Sequence, residues 1–473
     1  MEYQKVTPEI IEQLKSVALG QVTVGDEVNV DFSHDEMPIY GKKMPDVVIE
    51  VSSTEEIAAI MKICNEFHIP VTPRGAGTGL VGGAVPILGG VVLNMTGMNK
   101  ILEYDLENMV VKVQPGVLLA DLADDAASKG LLYAPDPGER FATLGGNVST
   151  NAGGMRAVKY GSTREAVRAM TVVLPNGEVS NFGSTVTKNS SGYSLLNLMI
   201  GSEGTLGIIT ELTLKLLPQP KEYMTLIVPY KDLDTCIATV PKIFMNHLSP
   251  QAIEFAERDI VDSTERFLDK QVFPKNVNGI DPQAYLLVTF DATSDDELFG
   301  MVERASELIY ESGALDVFVA DSPQLKKDVR EVRGAFLEGI MAETKLLDEC
   351  DVVVPINRIA PYLTYVTSLE EESGLTIKSF GHAGDGNLHI YTCSNDLEEE
   401  EFKRRADEFM NKVYDKATEY GGQVSGEHGI GLGKLEFLEK SIGETNVRLM
   451  QDIKRVFDPN MILNPGKVCY PIY

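Results

Sequence analysis

The sequence feature that most restricts the fold is a glycine-rich segment, residues 74–90, which lies between two short apolar stretches. Its GTGLVG matches the GxGxxG pattern of dinucleotide-binding loops. In a nicotinamide-binding Rossmann unit a helix begins directly after this pattern, because the helix N-terminus holds the pyrophosphate. Here more glycines and a proline follow, and the chain enters the apolar run VVLNM. The context therefore argues against a Rossmann unit and predicts a loop that leads back into a strand.

The loop itself has the composition of a phosphate cradle. Five glycines between residues 75 and 83 allow several backbone N–H groups to point at one anion. Arg74 either adds positive charge beside such an anion or forms a structural ion pair, and the residues alone leave both open. A flexible surface loop is the remaining alternative.

The residues before this loop predict a strand, a helix and a second strand. MPDVVIEVSS and IPVTP are the short strands. STEEIAAIMKICNEFH between them has apolar residues at helical spacing, with Ser53 or Thr54 as its cap. Two later segments, TLGGNVSTNAGGMRAVKYG and GSEGTLGIIT, again combine glycine with hydroxyl and amide side chains. Three such segments in one half of the chain predict one long ligand, and a dinucleotide-sized cofactor fits.

The length of 473 residues indicates two or more domains. We place a boundary near residue 220, at a proline-containing linker, and a second domain of strands and long helices over 221–420. The acidic run from Glu398 to Glu401 suits the first turn of such a helix. The glycine-rich residues 421–473 are expected to return to the first domain.

Charge and cysteine content restrict the partners. A net charge of −28 argues against nucleic acid and anionic membranes, and an anionic substrate would need local positive charge. The five cysteines include no CxxC pair, so neither a disulfide framework nor a thiolate metal cluster is predicted. With no signal peptide and no membrane span recognisable, we expect a cytoplasmic location.

The segment GHAGDGNLHI carries His382 and His389. Its three glycines argue against a helix and predict a turn that leads into a strand, and such a bend can bring both imidazoles to one point. Together with Glu427 they would offer two nitrogens and a carboxylate, a set that suits a divalent first-row metal with open positions. A turn without a metal is the alternative that the spacing leaves open.

Two further residues are candidates for catalysis. His428, directly after Glu427, is a candidate general base because imidazole titrates near neutral pH. Arg330, in KKDVREVRGAF, is a candidate for a bidentate contact with a substrate carboxylate. An ordinary surface arginine on a helix is the alternative for Arg330.

Six motifs in order resemble one known family. PRGAGTGLVGGAVP, PDPGERFATLGGNVSTNAGG, GSEGTLGIIT, GHAGDGNLH, SGEHGIG and DPNMILNPGK resemble the FAD-linked oxidases of the vanillyl-alcohol oxidase (PCMH) type. Within them the chain is similar to the group of D-lactate dehydrogenases, D-2-hydroxyglutarate dehydrogenases and the glycolate oxidase flavoprotein subunit. It looks particularly like the lactate dehydrogenases of anaerobes that work with an electron-transferring flavoprotein. The resemblance covers nearly the whole chain.

The resemblance implies an α+β fold of two domains. Residues 1–220 would bind FAD without a covalent link, residues 221–420 would form a substrate (cap) domain on an antiparallel sheet, and residues 421–473 would return to the FAD domain and the active site. It implies that His382, His389 and Glu427 bind one divalent metal (Fe, Mn or Zn), that His428 is the base and that Arg330 binds the substrate carboxylate. The implied FAD-binding residues are Pro73, Arg74, Gly75, Ala76, Gly77, Thr78, Gly79, Leu80, Pro135, Asp136, Thr143, Gly145, Gly146, Asn147, Ser149, Asn151, Gly153, Gly154, Tyr160, Gly161, Glu203, Gly204, Gly207, Ile208, Ile209 and Asn464.

The chain departs from the family pattern at one position. D-2-hydroxyglutarate dehydrogenases carry a lysine shortly before a strand that ends in proline, where it helps to bind the distal carboxylate. The corresponding stretch here, LLDECDVVVP, has Glu349 in that neighbourhood. Because an acidic residue would repel a second carboxylate, a monocarboxylate such as lactate or glycolate is favoured.

The implied activity is oxidation of D-lactate, a small D-2-hydroxy acid, to pyruvate, with hydride transfer to flavin N5. No second redox centre is recognisable, so an external acceptor is expected, with an electron-transferring flavoprotein ahead of a quinone or an iron–sulfur complex. The alternatives are a glycolate oxidase flavoprotein subunit, a D-2-hydroxyglutarate dehydrogenase, a non-redox transferase of the same fold, and an electron carrier that binds FAD without a substrate site. A homo-oligomer is left open.

Overall fold

A computed structural model describes residues 3–470. The strands are β1 (Val22–Val24), β2 (Val47–Glu50), β3 (Val71–Arg74), β4 (Val91–Asn94), β5 (Ile101–Asp105), β6 (Val110–Val113), β7 (Leu131–Leu132), β8 (Val167–Val173), β9 (Val179–Gly183), β10 (Ile208–Lys215), β11 (Leu217–Pro218), β12 (Glu222–Tyr230), β13 (Ala252–Glu257), β14 (Ala284–Ala292), β15 (Phe318–Ala320), β16 (Leu346–Val353), β17 (Thr376–His382) and β18 (Asn387–Ser394).

The α-helices are α1 (Pro8–Val17), α2 (Thr54–Glu66), α3 (Leu119–Ser128), α4 (Leu144–Thr150), α5 (Ala157–Tyr160), α6 (Thr163–Ala166), α7 (Leu195–Met199), α8 (Leu233–Met245), α9 (Arg258–Leu268), α10 (Asp295–Glu311), α11 (Pro323–Gly334), α12 (Phe336–Met341), α13 (Ile359–Ser368), α14 (Glu370–Ser373), α15 (Glu399–Glu419), α16 (Leu435–Ile442) and α17 (Glu444–Phe457). None of the helices between residues 3 and 470 combines the length and the apolar character needed to cross a lipid bilayer.

The chain forms two compact units. The first takes the described residues up to 153, residues 161–219 and those from 427 onward, and the second takes residues 154–160 and 220–426. The first unit contains a four-stranded sheet in the order β1-β2-β4-β3, a five-stranded sheet in the order β5-β6-β10-β8-β9, and the pair β11-β7.

The strand–helix–strand prediction near the N-terminus is confirmed. The Ser53 side chain accepts the N–H of Glu56 and caps α2, which buries Ile57, Ile60 and Met61 along one face. Strands β3 and β4 are parallel, so their carboxyl ends lie at the same edge of the sheet. The glycine-rich loop starts at that edge and re-enters the sheet as β4, as predicted.

The C-terminal segment completes this sheet. Leu463 forms a parallel bridge with Val71 of β3, and the N–H of Asn464 donates to the carbonyl of Val71 at 2.7 Å. Lys454, Asp458 and Lys467 are buried polar residues of the same segment. The last part of the chain is therefore integral to the first unit.

The second unit is built on a seven-stranded antiparallel sheet in the order β15-β12-β14-β13-β17-β18-β16. Successive residues of β14 are buried, so both faces of the sheet are covered. This confirms the predicted antiparallel sheet of the second domain. Strands β17 and β18 form a hairpin in which His382 pairs with Asn387 and Phe380 pairs with His389, while β13 places Glu254 opposite His382.

Candidate active site

The first unit contains a cavity at the carboxyl edge of β3 and β4. The empty space in and at the mouth of this cavity is about 1280 Å³, a volume that includes open solvent. Its walls come from the glycine-rich loop, from α4, from residues 203–209 and from Glu427 and His428. A glycine-lined cavity at the carboxyl ends of parallel strands suits an elongated ligand such as a dinucleotide.

The glycine-rich loop offers this cavity a set of uncommitted backbone donors. Within the described part of the chain, no backbone N–H of residues 75–81 donates to another protein group. Buried or half-buried N–H groups in native proteins nearly always find a partner. A run of such donors therefore fits the pyrophosphate of a bound FAD.

The guanidinium of Arg74 binds to backbone groups of the first unit. Its guanidinium donates to the carbonyls of His34 at 2.6 Å and Asp31 at 2.9 Å, and it lies 5.7 Å from the centre of the Phe32 ring. Burial lowers the pKa of Arg74, while Asp35 acts in the opposite direction. The Arg74 side chain thereby holds the segment that contains Asp31 and His34 against the start of the glycine-rich loop.

Most of the FAD-binding residues implied by the resemblance line this cavity: Pro73, Arg74, Gly75, Ala76, Gly77, Thr78, Gly79, Leu80, Thr143, Gly145, Gly146, Asn147, Ser149, Gly153, Glu203, Gly204, Gly207, Ile208 and Ile209. Outside the lining lie Pro135, Asp136, Asn151, Gly154, Tyr160, Gly161 and Asn464. For all of them, contact with FAD remains a prediction.

Side chains of the residues outside the lining also bond within the protein. The Asn151 side chain accepts from the N–H of Arg164 at 2.9 Å. The Tyr160 hydroxyl donates to Asp291 within the second unit. The Asn464 amide donates to the carbonyls of Gly83 and Glu203, at 2.9 and 2.8 Å.

Glu203 organises the wall that carries Glu427 and His428. Its buried carboxylate accepts the N–H groups of Ile430 at 2.7 Å and Gly431 at 2.8 Å. Burial raises the pKa of Glu203, although these two N–H groups act against the rise. The residue thus fixes the backbone just after the candidate base.

Sequence reasoning missed part of the lining. Met95 follows β4 and Pro115 follows β6, and both face the cavity. The signal for Met95 was available, since it comes directly after a strand parallel to the one that ends at Arg74. Pro115 had no local signal: it packs against α4, where a Cβ on Gly145 would lie 2.6 Å from the Cβ of Pro115.

In the second unit, the hairpin β17–β18 brings the two predicted histidines together. The ring centres of His382 and His389 are 5.4 Å apart, and both side chains are buried. The turn between them needs glycine, because Gly386 has φ +88° and a Cβ there would lie 2.0 Å from the carbonyl oxygen of Val354. The predicted turn-and-strand form of GHAGDGNLH is confirmed.

Each imidazole meets a buried carboxylate at Nδ1. His382 Nδ1 lies 2.8 Å from Glu254 Oε1, and His389 Nδ1 lies 3.1 Å from Glu349 Oε1. Burial would raise the pKa of Glu254, but Arg333 and His382 beside it hold the pKa below its usual value. A carboxylate at Nδ1 is the usual outer partner of a metal-binding histidine. The pair therefore fits a metal site.

Glu349 has a partner that sequence reasoning did not foresee. The same oxygen that meets His389 also accepts the Tyr391 hydroxyl at 3.1 Å. Glu349 is thus part of the histidine cluster.

Helix α11 carries two arginines with different surroundings. Arg330 is exposed, and its guanidinium lies 5.1 Å from the centre of the Tyr223 ring. Arg333, one turn later, is largely buried and donates to Glu254. Arg330 remains the predicted contact for a substrate carboxylate. Arg333 is linked to His382 through Glu254, a contact that the sequence did not indicate.

Two family models match the chain. The one described as FAD binding domain matches residues 45–183. The one described as FAD linked oxidases, C-terminal domain, matches residues 219–468. Together they span both units.

Individual proteins are similar over the whole length. A D-lactate dehydrogenase of Anaerostipes hadrus is 65% identical over 471 residues, which cover 100% of this chain and 99% of that protein. The glycolate oxidase subunit GlcD of Bacillus subtilis is 37% identical over 472 residues, covering 98% and 97%. The solved structure of p-cresol methylhydroxylase with substrate bound has a TM-score of 0.79 at 18% identity, covering 98% of this chain and 96% of that one, and shows the shared fold.

Proposed function

The chain belongs to the FAD-linked oxidases, and on this premise we propose that it oxidises D-lactate, a D-2-hydroxy acid, to pyruvate and passes the electrons to an external acceptor. The observation that carries the proposal is the pair of buried imidazoles, each with a carboxylate at Nδ1. This arrangement suits a metal that binds a hydroxy acid. The 65% identity to a protein named D-lactate dehydrogenase supports the substrate.

We propose that FAD occupies the cavity of the first unit, held non-covalently. The backbone donors of residues 75–81 would bind its pyrophosphate, and α4 with residues 203–209 would contact the rest. Bound FAD supplies the acceptor for two electrons and for the hydrogen on the substrate's C2.

We propose that His382 and His389 bind one divalent metal through Nε2, with Glu427 as the third ligand. Two nitrogens and one carboxylate oxygen suit Fe, Mn or Zn. A metal bound there supplies a Lewis acid that lowers the pKa of the substrate hydroxyl. The support for Glu427 is the family resemblance.

The remaining roles fall to two residues of the chain. His428 takes the hydroxyl proton, and its place in the cavity wall beside Glu427 supports this role. Arg330 binds the substrate carboxylate, and so orients C2 for the transfer. Loss of that proton and of the C2 hydrogen with its electron pair converts the alcohol into the ketone of pyruvate.

Glycolate is the second candidate substrate. The 37% identity to a glycolate oxidase subunit favours it, and both acids have a single carboxylate. Glu349 disfavours D-2-hydroxyglutarate, because a second substrate carboxylate near it would meet a like charge.

An electron-transferring flavoprotein is the proposed acceptor. No group of cysteines within residues 3–470 is placed to hold an iron–sulfur cluster, so the electrons must leave the chain from FAD. The acidic composition does not favour a membrane surface as the docking site.

The test is anaerobic reduction of the purified, metal-loaded flavoprotein. D-lactate should bleach the visible flavin absorption, glycolate should do so more slowly, and L-lactate is the matched control because only its handedness differs. Persistence of the flavin band with every 2-hydroxy acid would refute the proposed reaction. Re-oxidation by purified electron-transferring flavoprotein, compared with a quinone analogue, tests the acceptor.

A further inference from the structure

A buried carboxylate, Glu254, contacts the imidazole of His382. Glu254 sits opposite His382 in the β13–β17 register, so backbone pairing fixes both residues on neighbouring strands. The Nδ1 atom lies 2.8 and 2.9 Å from the two oxygens of Glu254. Because a carboxylate accepts hydrogen bonds, this contact favours the tautomer with the proton on Nδ1 and the lone pair on Nε2.

Glu254 is in turn held by Arg333. The Arg333 Nε donates to Glu254 Oε2 at 2.7 Å, and Nη2 donates to the same oxygen. The two side chains are 12% and 4% exposed, so this ion pair is largely removed from solvent. The guanidinium also lies 5.3 and 5.2 Å from the ring centres of Phe336 and Phe380. Arg333 therefore has little freedom to leave the carboxylate.

We propose that Arg333 and Glu254 are positioning residues that fix the tautomer and orientation of His382 for a divalent metal. The inference rests on the proposed metal-dependent reaction. Neither residue is assigned contact with the substrate. Arg333 acts through Glu254, because a buried carboxylate without a cation would be costly and would not stay in place. Glu254 acts through His382, because removal of such an outer partner weakens metal binding by about 10–100-fold.

The unit offers a matched control for this chemistry. Glu265 is also a buried carboxylate with a 4% exposed side chain, and it pairs with Lys275. It accepts the N–H groups of Val272 at 2.6 Å and Phe273 at 2.8 Å. Glu265→Gln thus removes the same charge at the same depth, from a carboxylate whose partners are Lys275 and two backbone N–H groups.

The experiment measures Mn²⁺ affinity of the FAD-loaded protein after the metal has been removed with a chelator. Glu254→Gln and Arg333→Met should weaken Mn²⁺ binding about 10–100-fold, whereas Glu265→Gln should bind as wild type does. Arg333→Lys should recover part of the loss, which a general packing defect would not allow. Co²⁺-loaded protein adds a second readout, since its visible spectrum reports ligand geometry and should change in Glu254→Gln.

The outcomes separate the two proposals. If wild type binds Mn²⁺ and Glu254→Gln binds it equally well with an unchanged Co²⁺ spectrum, the positioning role is wrong and the metal site stands. If wild type binds no divalent metal, the metal-dependent reaction and the positioning role both fail. Should Glu254→Gln not fold, Arg333→Met decides: because it removes the cation beside Glu254, an affinity equal to that of wild type together with an unchanged Co²⁺ spectrum would overturn the proposal.

Discussion

The substitution Gly77→Ala tests whether the glycine-rich loop must keep its present shape to bind FAD. Gly77 has φ +82°, and a Cβ there would lie 2.1 Å from Arg74 Nη2 and 2.5 Å from Arg74 Cζ. Arg74 cannot move aside without loss, because its guanidinium donates to the carbonyls of Asp31 and His34 at 2.9 and 2.6 Å. The added methyl group therefore strains the backbone at residue 77 and also collides with Arg74, which anchors the loop.

The size of the effect follows from these contacts. A residue with a Cβ in the left-handed region costs about 1–2 kcal/mol. Displacing the guanidinium costs about 1.5–3 kcal/mol for each of its two hydrogen bonds. A loop that relaxes recovers part of this, so we expect FAD affinity to fall by at least about 100-fold, which corresponds to about 2.8 kcal/mol.

The assay is titration of the apoprotein with FAD, followed by flavin fluorescence. Gly130→Ala is the matched control, because Gly130 has φ +71° but no atom within 4 Å of an added Cβ. It therefore carries the backbone strain without the collision. Equal FAD affinity of Gly77→Ala and Gly130→Ala would refute the reasoning.

Three further substitutions test other parts of the site. Lys454→Met should destabilise the first unit by about 3–5 kcal/mol, because the buried Asp458 carboxylate loses its cation; an unchanged denaturant midpoint of FAD release would contradict this. Glu349→Lys should abolish turnover of D-lactate and D-2-hydroxyglutarate alike, because the lost carboxylate meets His389 Nδ1; kinetics that show a gain with the diacid would argue against it. Burial lowers the pKa of Lys467 from 10.5 to about 7. Between pH 7 and pH 10.5, Lys467 is protonated in the unfolded chain and neutral in the folded protein. The free energy of unfolding of wild type should therefore rise with pH by up to about 1.4 kcal/mol per pH unit. Denaturation of wild type and of Lys467→Met is compared at pH 7 and pH 9. The variant should lack this rise in stability, and an equal change of stability with pH in both proteins would contradict the prediction.

The sequence predicted those parts of the fold whose determinants are local. The stripe of apolar residues and the Ser53 cap of α2 lie within one helix, so periodicity was sufficient to find it. The turn of GHAGDGNLH was predictable because closely spaced glycines exclude a helix. Helix α4 was missed, because Gly145 and Gly146 lower helix propensity. The reason for Gly145 lies in another part of the chain, in the close approach of Pro115.

The candidate site was predictable only where a motif carried it. The two histidines stand in one short segment, whereas Glu254 lies 128 residues before His382. Only the strand register of the folded sheet makes Glu254 and His382 neighbours. Arg333 was also hidden, because nothing along α11 distinguishes it from Arg330 until the sheet beneath the helix is known. Residues that come together only through tertiary packing have no characteristic spacing in the sequence, so a sequence pattern cannot predict their contact.

The discontinuity of the first unit sets an order of events during synthesis. Residues 220–426 are made between its two large parts, and the edge of β3 receives its partner only with Leu463. When residue 426 has been made, every residue of the second unit exists. The ribosome has then still to make the part of the first unit that includes Leu463, the partner of β3. The cavity of the first unit, whose wall includes Glu427 and His428, is therefore completed after the chain of the second unit has been made. A nascent chain halted before residue 427 should therefore have all residues of the second unit and an incomplete cavity in the first.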